Sequence, residues 1–389
     1  MKIRASWGLN GNNSIRSNAA VGLMSDAGYS LDGNTVSGYA PTTIDNVDLG
    51  WEKTRSWNLG LDLGFLKNRI TVALDIYRKL TDGMLYEVTV PASMGLEDNR
   101  AWDNVGSIEN KGVELEISSR NLTGPLKWTT SFNIAYNKNE ILSMGDNNTA
   151  IYGGWNNSNT HVFMVGEPMR SYYMYDAIGV YQTEEDLRRY ATMEGQKVGD
   201  IRYRDVNGDG IINDSDRTLV GKARPDFTWG LTNKFNYRRF DLTVTLTGQW
   251  GGHLYSLLGR TIDRNSAGPG RGNLLAKWLH SWFSEEDPGD GITPSFLSTT
   301  TSDLYDTRWL YKSDFVKIKN VMLGYNIPIN KKFASKLRTY FSIQNLYTWD
   351  KYDGGFSPEA STYGSKKTGY DFGSYPMARV YTLGVNMEF

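Results

Sequence analysis

The most chemically ordered stretch of the 389-residue chain is Asp205 to Asp216, DVNGDGIINDSD. It sets oxygen-bearing side chains at alternate positions in the manner of a calcium loop. Asp205, Asn207 and Asp209 stand first, third and fifth, and Gly210 stands sixth, where such a loop must bend sharply. Ile211 would offer its carbonyl, Asn213 fills the ninth position, and Asp216 stands where a bidentate Glu is usual. Hard oxygen donors at this spacing wrap one Ca²⁺, and the shorter Asp216 implies weaker binding than Glu would give. The preceding DIRYR, Asp200 to Arg204, alternates as a strand does, so the motif is expected to brace a loop and not to switch a helix pair. The same residues also suit an Asx-rich turn that needs no ion.

No other chemistry is as well supported. The three histidines, His161, His253 and His280, are far apart, and no HExxH, GxSxG or Walker pattern occurs. GPGRG at Gly268 to Gly272 reads as a flexible turn. Carboxylate pairs such as Glu184 with Glu185, or Glu285 with Glu286, arise by chance among 43 acidic residues, so no enzyme is expected. Trp155, Trp250, Trp278, Trp282 and Trp309 fall in connecting segments and are candidates for stacking on sugar rings, with packing inside the loops as the competing role. The absence of Cys excludes thiol catalysis, thiolate metal sites and disulfides, and suits an oxidising compartment. Lys plus Arg total 42 against 43 Asp plus Glu, so the net charge of -1 provides no field for nucleic acid.

The elements that must carry these residues read as strands. Trp57, Leu59, Leu61, Leu63 and Phe65 alternate with Ser56, Asn58, Gly60, Asp62 and Gly64, and Ile70, Val72, Leu74 and Ile76 follow. Similar alternation recurs at Val113 to Ile117, Trp128 to Tyr136, Phe227 to Leu231, Leu242 to Leu246, Val321 to Tyr325, Leu337 to Ile343 and Tyr381 to Phe389, for about ten strands with Lys2 to Leu9. Short connections at Leu66 to Arg69, Leu122 to Leu126, Tyr237 to Asp241 and Ile327 to Ser335 exchange strictly with long ones at Asn10 to Lys53, Thr81 to Ser107, Asn139 to Asp226, Gly251 to Lys312 and Asp350 to Tyr375. All short turns therefore fall at one end and all long loops at the other, as in an outer-membrane barrel with short periplasmic turns and long extracellular loops. Trp57, Phe65, Trp128, Tyr136, Trp229 and Phe235 lie near strand ends on the apolar face, where interfacial girdles belong. Mean hydropathy of -0.48 does not speak against this, because alternation averages out in a sliding window. A soluble Greek-key or solenoid protein shares the alternation but has no reason to sort its loops by length.

At this point the residues resemble a known family. GDIRYRDVNGDGIINDSDRTLVG, KIRASWGLNGN, WEKTRSWNLGLDLGFLKNRI, FVKIKNVMLGYNIP, FSIQNLYTW and the terminal YPMARVYTLGVNMEF are similar to segments of SusC/RagA outer-membrane proteins of the Bacteroidetes, which are TonB-dependent receptors. The resemblance implies that residues 1–389 are about ten C-terminal strands of a barrel of about 22. A plug domain and TonB-contacting box would lie in the family's N-terminal half. It also implies outer-membrane lipid as surroundings, import of glycans or peptides energised through TonB, a surface lipoprotein of the SusD type as partner, and recognition of Phe389 by the barrel-assembly machinery. MKIRASWGLNGN lacks the apolar core of a secretory signal, so Met1 is expected to be an artefact of truncation. Two alternatives stand beside this reading: a passive ten-strand channel, and a soluble glycan-binding β protein stiffened by calcium.

Overall fold

The computed structural model describes residues 1–15, 17–96, 100–145, 147–154, 159–264, 274–298, 300, 303–329, 335–360 and 368–389. Ten long strands dominate it: β1 (Lys2–Asn12), β2 (Glu52–Phe65), β3 (Ile70–Asp82), β4 (Ser107–Thr123), β5 (Leu126–Ser143), β6 (Phe227–Tyr237), β7 (Phe240–Trp250), β8 (Phe315–Ile327), β9 (Lys336–Asp350) and β10 (Val380–Glu388). They form one sheet in chain order, each strand antiparallel to the next, with β1 and β10 as its two edges. The sheet is an open wall; among the described residues no pairing joins β1 to β10, so a complete ten-strand barrel is not formed. The short turns are 66–69, 124–125, 238–239 and 328–335, and the long loops are 13–51, 83–106, 144–226, 251–314 and 351–379.

Register turns the period-two pattern into two continuous faces. On one face Ile3, Leu61, Leu74, Leu115, Ile134 and Trp229 stand side by side across six strands. Further round, Val244, Val321, Ile343 and Tyr381 continue it. Nothing covers these side chains: Ile3 is 65% exposed and Leu383 78%. Buried apolar residues gather in the loops instead, so the inner faces of two stacked sheets do not meet here as they would in a soluble sandwich. Aromatic pairs frame the bare band. Trp128 stacks on Phe235 at 5.5 Å and Phe240 meets Tyr325 at 4.8 Å toward the turns. Tyr136 meets Phe227 at 4.9 Å and Trp229 stacks on Trp250 at 5.6 Å toward the loops.

The opposite face is polar, and its charges are paired across strands. The Arg4 guanidinium donates to Asp62 at 2.9 Å and to Asp75 at 2.8 and 2.9 Å, so one cation ties β1, β2 and β3. It passes over Gly60, where a Cβ would lie 2.6 Å from the Arg4 Cζ. Arg338 of β9 reaches Asp241 of β7 in the same way across Gly324 of β8.

The faces predict a one-sided mutational cost. Leu115→Arg, in the middle of the apolar row, is expected to lower stability by about 2–4 kcal/mol in urea unfolding of the protein in lipid bilayers, against less than about 1 kcal/mol for Thr232→Arg on the polar face. An equal cost on both faces would contradict the assignment.

Candidate functional site

The polar face carries a row well suited to hydrogen bonding. Thr71, Ser118, Ser131, Thr232, Thr245, Asn320 and Gln344 lie in register across seven adjacent strands, β3 to β9. Every member bears a hydroxyl or a carboxamide, and none is charged. A bulge between Ile318 and Asn320 admits one extra residue, Lys319, and keeps Asn320 in the row while Ile318 stays on the apolar face. Thr232, Thr245, Asn320 and Gln344 line one groove together with Asn133 and Thr247, and the bulge residue Lys319 brings a cation to its wall. Such a surface offers donors and acceptors to a neutral polar ligand and holds no nucleophile beside a general base.

Above the wall, three of the long loops are knitted into a cap. His253–Ser256 pairs with Leu310–Lys312 and, in parallel, with Tyr370–Asp371, which joins loop 251–314 to loop 351–379 through the backbone. Loop 144–226 adds a four-stranded sheet that includes His161–Phe163, Ser171–Met174 and Thr218–Lys222. Tyr172, Tyr255, Trp309 and Tyr370 come from all three loops and are fully buried together. Tyr370 hydrogen-bonds His161 Nδ1 at 2.7 Å, and Tyr352 donates to Asp371 at 2.7 Å. Asp306, also buried, accepts from Tyr203 at 2.7 Å and from Arg308 at 2.7 Å.

The calcium-type loop folds as a series of Asx turns. Asp205 accepts from the amides of Gly208 at 2.7 Å and Gly210 at 3.0 Å, Asn207 from Asp209 at 3.0 Å, Asp209 from Ile211 at 2.8 Å, and Asn213 from Ser215 at 2.8 Å. Gly210 makes the expected sharp bend with φ of 81°. Asp216 is fully buried, and its two oxygens accept from Val206 at 2.9 Å and Asn213 at 2.8 Å. Among the described residues no three His, Cys, Asp or Glu side chains are gathered as a metal cage. The oxygen set is right for calcium, but amide donors already occupy a share of it.

Among the described residues, Trp250, Trp278, Trp282 and Trp309 do not come together as a platform. Trp250 ends β7 on the apolar face, stacked on Trp229, and so belongs to the girdle and not to a sugar site. Trp309 is 1% exposed in the cap core, where no ring face is open to a ligand. Trp278 donates to Asp263 at 2.9 Å and Trp282 to the Gln182 carbonyl at 3.2 Å, each half-buried as a packing element. Trp155 and the Gly268 to Gly272 run lie outside the described residues. The neutral row escaped notice in the sequence because its members are ordinary Ser, Thr, Asn and Gln. The usable signal was their common parity, opposite to Leu and Trp.

A single antiparallel wall with one bare apolar face, one polar face and all folded loops at one end is the wall of an outer-membrane β-barrel. The chain belongs to the TonB-dependent receptor family, whose model described as TonB dependent receptor-like, beta-barrel matches residues 2–346. It is 31% identical to TonB-dependent receptor P3 of Formosa agariphila over 100% of this chain and 39% of that protein. It is 28% identical to TonB-dependent receptor SusC of Bacteroides thetaiotaomicron over 100% of this chain and 37% of that protein. Two solved structures share the fold: the RagAB peptide transporter, with TM-score 0.80 and 24% identity, and the RagAB peptide importer in the open-open state, with TM-score 0.81 and 23% identity. Each match covers 100% of this chain and 40% of the other. The chain thus spans about two fifths of the length of these relatives.

The cap carries an acid sensitivity that can be measured. Burial, and then the charge of Arg170, push the His161 imidazole down from 6.5 to about 3. Below about 6.5 the unfolded loop takes up a proton that the folded one refuses, so cap stability falls by about 1.4 kcal/mol per pH unit down to about pH 3. Hydrogen exchange of residues 160–163 and 171–174, corrected for intrinsic rates, is expected to rise between pH 7 and pH 4.5, and His161→Gln to weaken that dependence, leaving the share of His253, whose imidazole burial also pushes down. A wild-type profile that stays flat would contradict it.

Proposed function

We propose that this chain forms part of the wall and the loop cap of an energised importer in the outer membrane, passing a neutral polar oligomer, foremost an oligosaccharide, along the Thr71 to Gln344 row. One observation carries the reading: seven adjacent strands present an uncharged hydroxyl and amide row on the face opposite the lipid-facing band. The family and the likeness to SusC support it. In this reading the long loops, including the 139–226 segment, face outward and offer the cap to a SusD-type lipoprotein. TonB would act through a plug domain in the family's N-terminal half. A peptide satisfies the same row through its backbone amides; RagAB, which shares the fold, is a peptide transporter.

Uptake is the test. Expressed from its native gene, the protein with Thr245→Val, Asn320→Leu and Gln344→Leu is expected to reach the outer membrane in unchanged amount and to lose at least about tenfold in oligosaccharide uptake, since each lost hydrogen bond is worth about 0.5–1.5 kcal/mol. Unchanged uptake would remove the row from the pathway.

In the same reading the 205–216 loop is a brace to which Ca²⁺ adds when bound, through Asp205, Asn207, Asp209, the Ile211 carbonyl, Asn213 and Asp216. Calorimetry is expected to show binding at about 10⁻⁴ to 10⁻³ M, lost in Asp209→Ala. Identical heats from both proteins would leave the brace to its Asx turns alone.

A further inference from the structure

Where the bare apolar face meets the loops, charge appears in rows. In register there, Trp57 of β2 is followed by Arg78 of β3, Lys111 of β4 and Lys138 of β5. One step toward the turns the same strands carry Leu59, Ile76, Val113 and Tyr136. One step toward the loops, Glu109 stands opposite Glu140. Lys111 opposite Lys138 and Glu109 opposite Glu140 are both like-charge pairs, whose Cβ atoms in an antiparallel ladder are about 4.5–5.5 Å apart and which repel.

The internal compensation is lopsided. Arg78 contacts Glu109 at 2.6 Å, Lys111 contacts the same carboxylate, and Lys138 contacts Glu140 at 2.7 Å. The Glu109 side chain is 5% exposed, however, against 61% for Arg78 and 48% for Lys111, and Glu140 is 25% exposed against 50% for Lys138. The carboxylates lie behind the row and the cations project from it, so the outward field at the edge of the hydrocarbon band is positive. Toward the turns of the same face, Ser119, Thr130 and Asn233 are in register on β4 to β6 and are followed by Trp128 with Phe235, and Lys67, Arg69 and Arg238 at that end lie in the turns themselves. Beside the row, Trp7, Trp57, Leu59 and Ile76 line an apolar groove with Arg78 at its rim, and the two indoles lie 6.3 Å apart.

We propose that Arg78, Lys111 and Lys138 bind the phosphate of an anionic lipid in the outer leaflet, with an acyl chain lying along Trp57, Leu59 and Ile76. A phosphate set between the opposed lysines relieves the repulsion that the wall itself leaves, and its oxygens accept from a guanidinium and two ammonium groups. The hydrocarbon directly beneath the row selects an amphiphile over a free anion. This site rests on the reading that the loop end of the wall faces outward.

The test uses the protein expressed from its native gene and extracted from outer membranes in mild non-ionic detergent, with bound lipid read by native mass spectrometry. Wild type is expected to retain phosphorylated lipid A. Arg78→Gln with Lys111→Gln and Lys138→Gln is expected to lose at least tenfold of it, and Lys67→Gln with Arg238→Gln at the turn end to retain it fully. Equal loss in both variants, or none in the first, overturns the proposal. Because the triple variant leaves the buried Glu109 without its cations, a loss of assembly is separated from a loss of binding by placing wild type in phosphatidylcholine nanodiscs containing phosphorylated or dephosphorylated lipid A. Preferential retention of the phosphorylated form supports the site, and equal retention overturns it. Orientation is read separately: Glu194→Cys in loop 144–226, a stretch with no Cys of its own, should gain labelling on intact cells by an impermeant maleimide over the protein without the substitution. No labelling overturns the outward reading itself, whereas labelling with unchanged lipid retention overturns the lipid row alone.

Discussion

Hydrocarbon offers no water to an unpaired amide, and the architecture answers that fact first. Each N–H or C=O left bare in a bilayer costs several kcal/mol, so a strand can cross only when both of its edges are paired. β2 to β9 meet this condition inside the sheet, while β1 and β10 each present one free edge. Once pairing fixes the strands side by side, register follows, and with it the sorting of side chains. Every second residue must face lipid, which is why Ile3, Leu59, Ile76 and Leu383 can stand bare where a soluble protein would bury them. The same pairing forces each connection to leave at the end where its strand stops, so loops of one kind collect on one side.

The cost of charge in such a wall explains where charge sits. Arg4 with Asp62 and Asp75, and Arg338 with Asp241, lie on the polar face, and each set crosses a strand at a glycine. A side chain at Gly60 or Gly324 would occupy the space through which the guanidinium reaches its partner two strands away. These pairs tie strands together without placing an ion against lipid. The apolar packing that a globular domain would keep between its layers moves to the loops, where Tyr172, Tyr255, Trp309 and Tyr370 make a core of their own. The long connections are folded for that reason, with hairpins, a four-stranded sheet and a capped helix at Glu184–Arg189.

What could be read from the sequence follows from how far each feature reaches along the chain. The strand faces depend on residues two apart, so the alternation of Trp57 to Phe65 and the parity of short and long connections were visible without any structure. The strand at Ile201–Tyr203 and the bend at Gly210 were visible for the same reason. The cap was not, because Tyr172, Tyr255 and Tyr370 meet only after three loops fold over one another, and nothing near each tyrosine marks it as buried. The tryptophans show the same limit: being in a connecting segment made Trp250 and Trp309 look alike, yet one ends a strand against lipid and the other lies 1% exposed in the cap core. The calcium-type loop is intermediate, since its spacing is local but its oxygens are shared with backbone amides that only the fold supplies.

The division of labour between wall and cap follows from rigidity. The neutral row is built on strands whose backbones are fixed by pairing on both sides, so its hydroxyls and amides keep their spacing. A fixed ladder of weak, alike groups discriminates poorly, because each contributes about the same small energy to any polar oligomer. Strong discrimination needs polar groups that lose their water and are left unpaired by the wrong ligand. In the cap, Asp306, Asp371 and His161 are buried and already held by tyrosines, so they fix the cap's shape and do not themselves meet a ligand. In the proposed import function, discrimination would rest on the shape that long-range packing gives the cap, and passage on the wall set by pairing between neighbouring strands.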